Sequence, residues 1–381
     1  MQFVPEHEAF RDTVRRFLRG RVNPFIDEWE REGMMPLHEI FKEMAGLGML
    51  GLEYDPSFGG QGADHWFTVV LAEEVGRCES ASFGLALGVQ VAMATPSLHD
   101  YGSDELRATY LAPAMHGELV GAVAVTEPDA GSDVAGIRTH ARRDGDDWVI
   151  NGSKIYITNG IQADWICALV RTSEEGGYRG MSQIIIPTDR PGYTVAKKLN
   201  KLGMRASDTG LLSFDGVRVP VANTIGEIGR GFQQQMVQFV TERAWGVYSA
   251  YAACSEALQR TKSYALQRKA FGLPIASQQY LQYTYAELAA EVDLLGCYNY
   301  SIADAFVAGE DIRRMTTIAK LKAGRLVRQV GDWCLQVHGG IGFMEETWTS
   351  RFFRDHRLTS IGGGSDEVML RVLSRMDGFT N

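Results

Sequence analysis

The sequence predicts a multidomain α and β chain: an N-terminal all-helical domain over residues 1–121, a middle antiparallel β-domain over 122–230 and a C-terminal four-helix bundle over 231–381. Two changes in hydrophobic period predict it. Apolar residues recur at helical spacing, then near every second residue, then at helical spacing again. A third observation is the length, 381 residues, enough for two or three domains.

In the first part, Phe10, Val14, Phe17 and Leu18, then Ile40, Phe41, Met44 and Leu47, each form one helix face. Phe58-Gly59-Gly60-Gln61-Gly62 reads as a loop between helices, and Asp104 opens another helix after Gly102 and Ser103. From Ala122 the segments Trp148-Val149-Ile150, 165–170, 184–186 and 211–219 read as strands. No helices alternate with them, which favours an antiparallel sheet or barrel over a doubly wound fold. From Gly231 helices are expected near 232–269, 278–307, 311–337 and 364–376, joined by short loops as in a bundle.

Composition narrows the function. The 38 basic and 47 acidic residues leave a formal charge of −9 without blocks of one sign, so no nucleic acid or anionic lipid partner is expected. Five scattered cysteines with no Cys-x-x-Cys pair argue against a metal site and for a reducing compartment, read here as cytoplasmic. Residues 80–98 carry no charge and approach the length of a spanning helix. Gln90, Pro96 and several serines and glycines make a helix buried inside the protein the better reading, with no membrane span.

Gly46-Leu47-Gly48-Met49-Leu50-Gly51 spells the dinucleotide fingerprint, with Glu73 at the spacing of a ribose-binding acid. The residues before it read as helix, whereas the fingerprint needs a strand, so it is taken as a helix end.

Other motifs point to chemistry. Thr126-Glu127-Pro128-Asp129-Ala130-Gly131-Ser132-Asp133 breaks an apolar run into a loop rich in amides and hydroxyls, which either holds a polar ring or phosphate or is an ordinary Asx-turn connection. Lys154-Ile155-Tyr156-Ile157-Thr158-Asn159-Gly160 reads as a strand with Tyr156 and Thr158 on one face, either a plate and hydroxyl for a flavin ring or a cross-strand packing pair.

These two segments, with Thr126 and Thr158 32 residues apart, resemble the two flavin-binding signatures of the acyl-CoA dehydrogenase family, and the similarity extends over the whole chain. The resemblance implies FAD as cofactor, lying between the β-domain and the bundle, and an acyl-CoA substrate drawn from fatty acid β-oxidation. It further implies an electron-transferring flavoprotein as acceptor and a homo-oligomer, a homotetramer built as a dimer of dimers. Val125, Thr126, Tyr156, Ile157 and Thr158 are then flavin contacts, with Tyr156 where many members have tryptophan. Ser132 falls to the FAD or substrate phosphate region. Arg268, Phe271 and Gln279 are implied cofactor residues, Arg268 making physical sense as a pyrophosphate partner or else being a surface arginine. Ala270 departs from members that carry threonine. Gln336-Val337-His338-Gly339-Gly340-Ile341-Gly342-Phe343 is similar to the loop that reaches the FAD of a neighbouring subunit, with Gln336, Gly339 and Gly340 as contacts. A helix C-cap explains two of its glycines better than three.

Dehydrogenating a saturated thioester needs a carboxylate aimed at the α-carbon and donors on the carbonyl oxygen. Many members supply the carboxylate in a segment that matches Ile361-Gly362-Gly363-Gly364-Ser365-Asp366-Glu367, where the expected glutamate position is Gly363. Isovaleryl- and long-chain-type members place it on a bundle helix before an arginine, and Thr241-Glu242-Arg243 fits that pattern, at the family's separation from Arg268. Glu242 is therefore expected to be the base, although a Glu-Arg pair is by itself commonly a solvated surface feature. Asp366 and Glu367 are the competing carboxylates, and Ser365 and Glu367 align with cofactor contacts. Arg243 and Gly362, Gly363 and Gly364 are expected at the substrate, the Gly363 amide as a thioester donor. Two missing side chains enlarge the acyl pocket and suggest a branched or bulky acyl group, as in citronellyl-CoA dehydrogenase-like members. Dehydrogenation of a carrier-protein-tethered acyl group, and a catalytically silent flavin- or acyl-CoA-binding homologue, are the alternatives.

Overall fold

A computed structural model describes residues 3–379. Helices α1 Pro5–Phe17, α2 Ile26–Glu32, α3 Leu37–Gly46, α4 His65–Gly76, α5 Ala81–Gly88, α6 Pro96–Tyr101, α7 Asp104–Leu106 and α8 Ala112–Met115 form the first part. The apolar face of α3 buries Leu37, Ile40, Phe41 and Met44, and the helix ends where the dinucleotide-like spelling begins, before left-handed Gly48 and Gly51. Asp64, Ser80 and Ser103 cap α4, α5 and α7 with side-chain oxygens that accept backbone N–H bonds.

The stretch Ala81–Tyr101 is long and apolar enough to cross a membrane, yet 72% of its most apolar window is buried inside the protein. Its lone amide, Gln90, is fully buried and satisfied: it donates to the carbonyls of Ala114 and Leu119 and accepts from the Gly121 amide. Such a side chain specifies a protein interior, where each polar atom finds a fixed partner. Residues Val89–Ala94 form a π-helical turn between α5 and α6, and Thr241 donates to the Ala92 carbonyl there.

Strands β1 Gly121–Ala124, β2 His140–Asp144, β3 Asp147–Thr158, β4 Trp165–Arg171, β5 Met181–Pro187, β6 Tyr193–Lys198, β7 Thr209–Pro220 and β8 Thr224–Ile225 form one sheet in the order β6-β7-β3-β2-β4-β5-β8, with β1 paired to β4. Here the structure corrects the antiparallel expectation. Pairing of β1 with β4 is parallel, as is the single pairing of β2 with β4, so the sheet is mixed. Periodicity reports which side chains are buried, not the direction of the neighbouring strand. Both β4 and β5 are buried along nearly their whole length, β4 as Trp-Ile-Cys-Ala-Leu-Val, because both faces are covered.

The last part holds α9 Gly231–Gln267, α10 Gln279–Val307, α11 Arg313–His338, α12 Trp348–His356 and α13 Asp366–Met376, with a small hairpin, Lys269–Ala270 against Leu273–Pro274, after α9. Three long helices are accompanied by two short ones. One apolar core runs from Val14, Phe41 and Trp66 through Trp245 and Tyr248 to Val330 and Trp333, so the bundle and the first part share it. The sheet has its own core around Trp148, Ile150, Ile166 and Phe214. A third cluster joins them: Val125, Ala130, Ile137, Leu169 and Met181, with Phe232 and Phe239 of α9 packed against it.

Candidate active site at the sheet–bundle junction

The loop after β1 is held from behind. Lys154 on β3 is completely buried and donates to the Val125 carbonyl and to Glu127 Oε1, each at 2.9 Å. Glu127 also accepts the amides of Arg138 at 2.6 Å and Thr139 at 2.9 Å. Burial favours the neutral acid, but Lys154 and these amides outweigh it and hold the Glu127 carboxyl below its ordinary range. Burial likewise draws Lys154 down to about 8. The Ile155 amide donates to Thr126 O at 2.9 Å, which ties the two sequence motifs directly together. Lys154→Met would leave Glu127 buried without its cation, and a loss of about 3–5 kcal/mol is expected, read as a lower midpoint in urea together with faster loss of flavin. An unchanged midpoint would mean that the pair does not hold this loop.

Between Lys154 and Ile157 the pairing of β3 with β7 slips by one residue. This bulge carries Tyr156 in the left-handed region at φ 62° and leaves the residue 67% exposed. A bulky residue in that region is strained, and such strain persists where the surroundings enforce it. Ile157 points into the core while Thr158 is half-buried on the outer side, so the expected shared face survives only through the bulge. Ser132 is exposed and Val125 buried.

Glu242 and Arg243 follow one turn after Phe239, whose ring packs against the loop cluster, and the Arg243 guanidinium lies 5.9 Å from that ring. Glu242 is only partly accessible. Burial pushes its carboxyl up to about 7, against the opposing pull of Arg243 and Lys320. The expected glutamate position is its immediate neighbour: a Cβ on Gly363 would stand 3.1 Å from Glu242 Oε1. Gly363 and Gly364 both have positive φ, 65° and 95°, a conformation that suits glycine. Arg243 Nε donates to Gly363 O at 3.3 Å, and Lys320 of α11 donates to Gly364 O. Gly362 is exposed above Leu358. Ser365 caps α13 by accepting from the Val368 amide, and Glu367 is exposed on its first turn.

A second group lies elsewhere. Glu242 and Arg268 are separated by 26 residues of helix, about 39 Å at 1.5 Å per residue. Arg268 is exposed and, among the described residues, its side chain has no hydrogen bond or ion pair. Phe271, at the hairpin tip, is 100% exposed with φ 53°. Gln279 donates to the Tyr283 hydroxyl at 2.5 Å. His338 stacks on Tyr264 with ring centroids 4.2 Å apart, which sets the end of α11 beside the end of α9. There Gln336, Gly339 and Gly340 are exposed, and a Cβ on either glycine would meet nothing within 4 Å. A partnerless arginine, a bare aromatic ring and open backbone amides are what a dinucleotide could occupy.

The site-forming residues that sequence reasoning missed are Lys320 and the back-bracing roles of Lys154 and Glu127. Lys320 left a signal: it falls on the apolar stripe of α11 with Thr316, Thr317, Ala323, Gly324 and Val327, all buried.

Sheet and helical bundle thus meet at one junction, where α9 packs Phe232 and Phe239 against the loop cluster and carries the Glu242 carboxyl one turn further on. Three family models match the chain: acyl-CoA dehydrogenase N-terminal domain over residues 4–118, middle domain over 122–217 and C-terminal domain over 229–376. The chain is 34% identical over 379 residues to the mitochondrial long-chain specific acyl-CoA dehydrogenase of Rattus norvegicus, covering 98% of this chain and 86% of that one. It superposes on the crystal structure of acyl-CoA dehydrogenase from Geobacillus kaustophilus with TM-score 0.95 and 34% identity over 98% of each chain. The glutaryl-CoA dehydrogenase of Mycobacterium smegmatis in complex with FADH2 aligns at TM-score 0.92 and 27% identity, over 99% of this chain and 96% of that one. The protein belongs to the acyl-CoA dehydrogenase family and is an FAD-dependent oxidoreductase.

Proposed function

We propose that the chain converts a branched or bulky acyl-CoA to its trans-2-enoyl-CoA, with Glu242 removing the α-proton, in the manner of the isovaleryl- and citronellyl-CoA dehydrogenase-like members. The observation that carries this reading is the approach of the Glu242 carboxylate to Gly363. Two chain positions that can each supply a base converge on one space, and only one of them bears a carboxyl group. FAD, when bound, would supply the hydride acceptor for the β-carbon. Glu242 takes the proton, the Gly363 amide donates to the thioester carbonyl, and Arg243 holds the turn that presents that amide. Val125, Thr126, Ser132, Tyr156, Ile157 and Thr158 form the flavin side of the cleft.

Room beside the base supports a bulky substrate. Gly246, one turn beyond Glu242 on the same helix face, is exposed and a Cβ there would meet nothing within 4 Å, although Trp245 and Val247 on either side are buried. The rat relative's printed specificity is long-chain, so long straight chains belong in the comparison. Anaerobic mixing with a panel of thioesters should bleach the flavin fastest with branched acyl groups. Butyryl- to octanoyl-CoA outpacing every branched thioester would refute the pocket argument, and no bleaching with any thioester would favour a silent homologue.

The span of about 39 Å between Glu242 and Arg268 exceeds the reach of an extended FAD. Arg268, Phe271, Gln279, Gln336, Gly339 and Gly340 therefore fit the far end of a cofactor held at a second subunit's sheet. This supports a homo-oligomer, read as a dimer of dimers, with an electron-transferring flavoprotein as acceptor. Ser365 and Glu367 are assigned to the cofactor's adenosine half.

A further inference from the structure

We infer that Lys320 is a positioning residue of the proton-transfer site: with Arg243 it clamps the turn formed by Gly362, Gly363 and Gly364, and it supplies a positive charge that favours the ionised form of Glu242. The inference rests on the reading of Glu242 as the base.

A run of three glycines offers no side chain for anchoring and loses the most conformational freedom on folding. Its order must come from backbone contacts. Besides the Gly362 amide, which donates to Leu358 O at 2.9 Å, two side-chain donors supply them: Gly363 O accepts from Arg243 of α9, and Gly364 O accepts from Lys320 of α11. Each donor is a cation, so each bond is charge-assisted. Lys320 is only 5% exposed, and its Cε lies 4.0 Å from where a Cβ on Gly363 would stand. Its ammonium thus bonds the turn, while its stem and the Glu242 carboxylate both approach the Cβ position of Gly363.

Charges from two elements surround Lys320. Glu242 and Arg243 face it from α9, and Asp366 and Glu367 from α13. Arg328 shares Asp366 at 3.8 Å, while Glu291 of α10 pairs with Lys322 at 3.7 Å instead. Burial lowers Lys320 to about 8, with Asp366 and Glu242 opposing the fall and Arg243 assisting it. Glu242 stands at about 7. The rate of flavin reduction should therefore rise as pH climbs through about 7 and Glu242 ionises, and the position of that limb should depend on the Lys320 charge.

The test uses the FAD-loaded enzyme and three variants, Lys320→Met, Lys320→Arg and Glu242→Gln. Flavin reduction is followed against pH, and the Glu242 carboxyl is titrated by difference infrared spectroscopy against Glu242→Gln. Lys320→Met is expected to move both the acidic limb and the infrared titration upward by roughly one pH unit, a tenfold change in proton affinity. It should also slow reduction at neutral pH. Lys320→Arg should restore the parent's acidic limb and infrared titration, because arginine keeps the positive charge. An infrared titration and pH profile of Lys320→Met that superpose on the parent's would overturn the inference. Should Lys320→Met fail to fold, Lys320→Gln takes its place, and an infrared titration that does not move there overturns the inference equally. If Glu242→Gln reduces flavin as fast as the parent, the assignment of the base fails instead, whatever Lys320 does.

Discussion

Glu242→Gln is expected to slow flavin reduction by acyl-CoA by about 10²–10⁴-fold, the contribution ordinary for a positioned general base. Because the carboxyl stands at about 7, the parent's rate should rise as pH climbs through neutrality and the base ionises. Stability should move the other way. The folded carboxyl binds its proton more tightly than the unfolded one, whose ordinary value is 4.5, so ionisation costs folding energy as pH rises from there to about 7. Glutamine imitates the protonated carboxyl. The variant should therefore match the parent near pH 4 and exceed it by about 3 kcal/mol above pH 7, measured by urea unfolding. An inactive variant with no stability gain would mean that the carboxyl faces bulk water.

The second large effect is a transfer of the carboxylate. Glu242→Gly alone should be as inactive as Glu242→Gln, and Gly363→Glu alone should be poorly active, since a side chain at 363 would sit 3.1 Å from Glu242 Oε1 and add a second negative charge. Combined, Glu242→Gly/Gly363→Glu removes that crowding and returns one carboxylate to the same space. We expect recovery of at least tenfold over Glu242→Gly. Full recovery is not expected, because a glutamate at φ 65° costs about 1–2 kcal/mol and disturbs the turn. A folded, flavin-containing double variant no faster than Glu242→Gly would show that the two positions do not serve one reacting atom.

Much of the proposed site is legible in the residue order. The Thr126 and Tyr156 motifs, the Thr241-Glu242-Arg243 segment and the glycine run at 362–364 can all be read from residue types and spacing. Tyr156 is where that reading falls short. Alternation places it beside Thr158, but the bulge and left-handed backbone that aim its ring depend on how β3 is paired with β7. Lys320 is legible only as an anomaly, a cation on an apolar stripe, because its partner is a main-chain carbonyl 44 residues away, and any sequence has carbonyls.

By itself the amino-acid order determined the succession of helices, strands and helices, since period and capping are local properties of a chain. It also determined which position carries the carboxylate and which carries none. Only the tertiary structure decided that β1 and β4 run parallel, that Lys154 braces the loop from behind, and that Glu242, Gly363 and Lys320 meet while Arg268 stays far off. Those are contacts between distant segments, set by how layers pack and where each buried polar atom can find a partner.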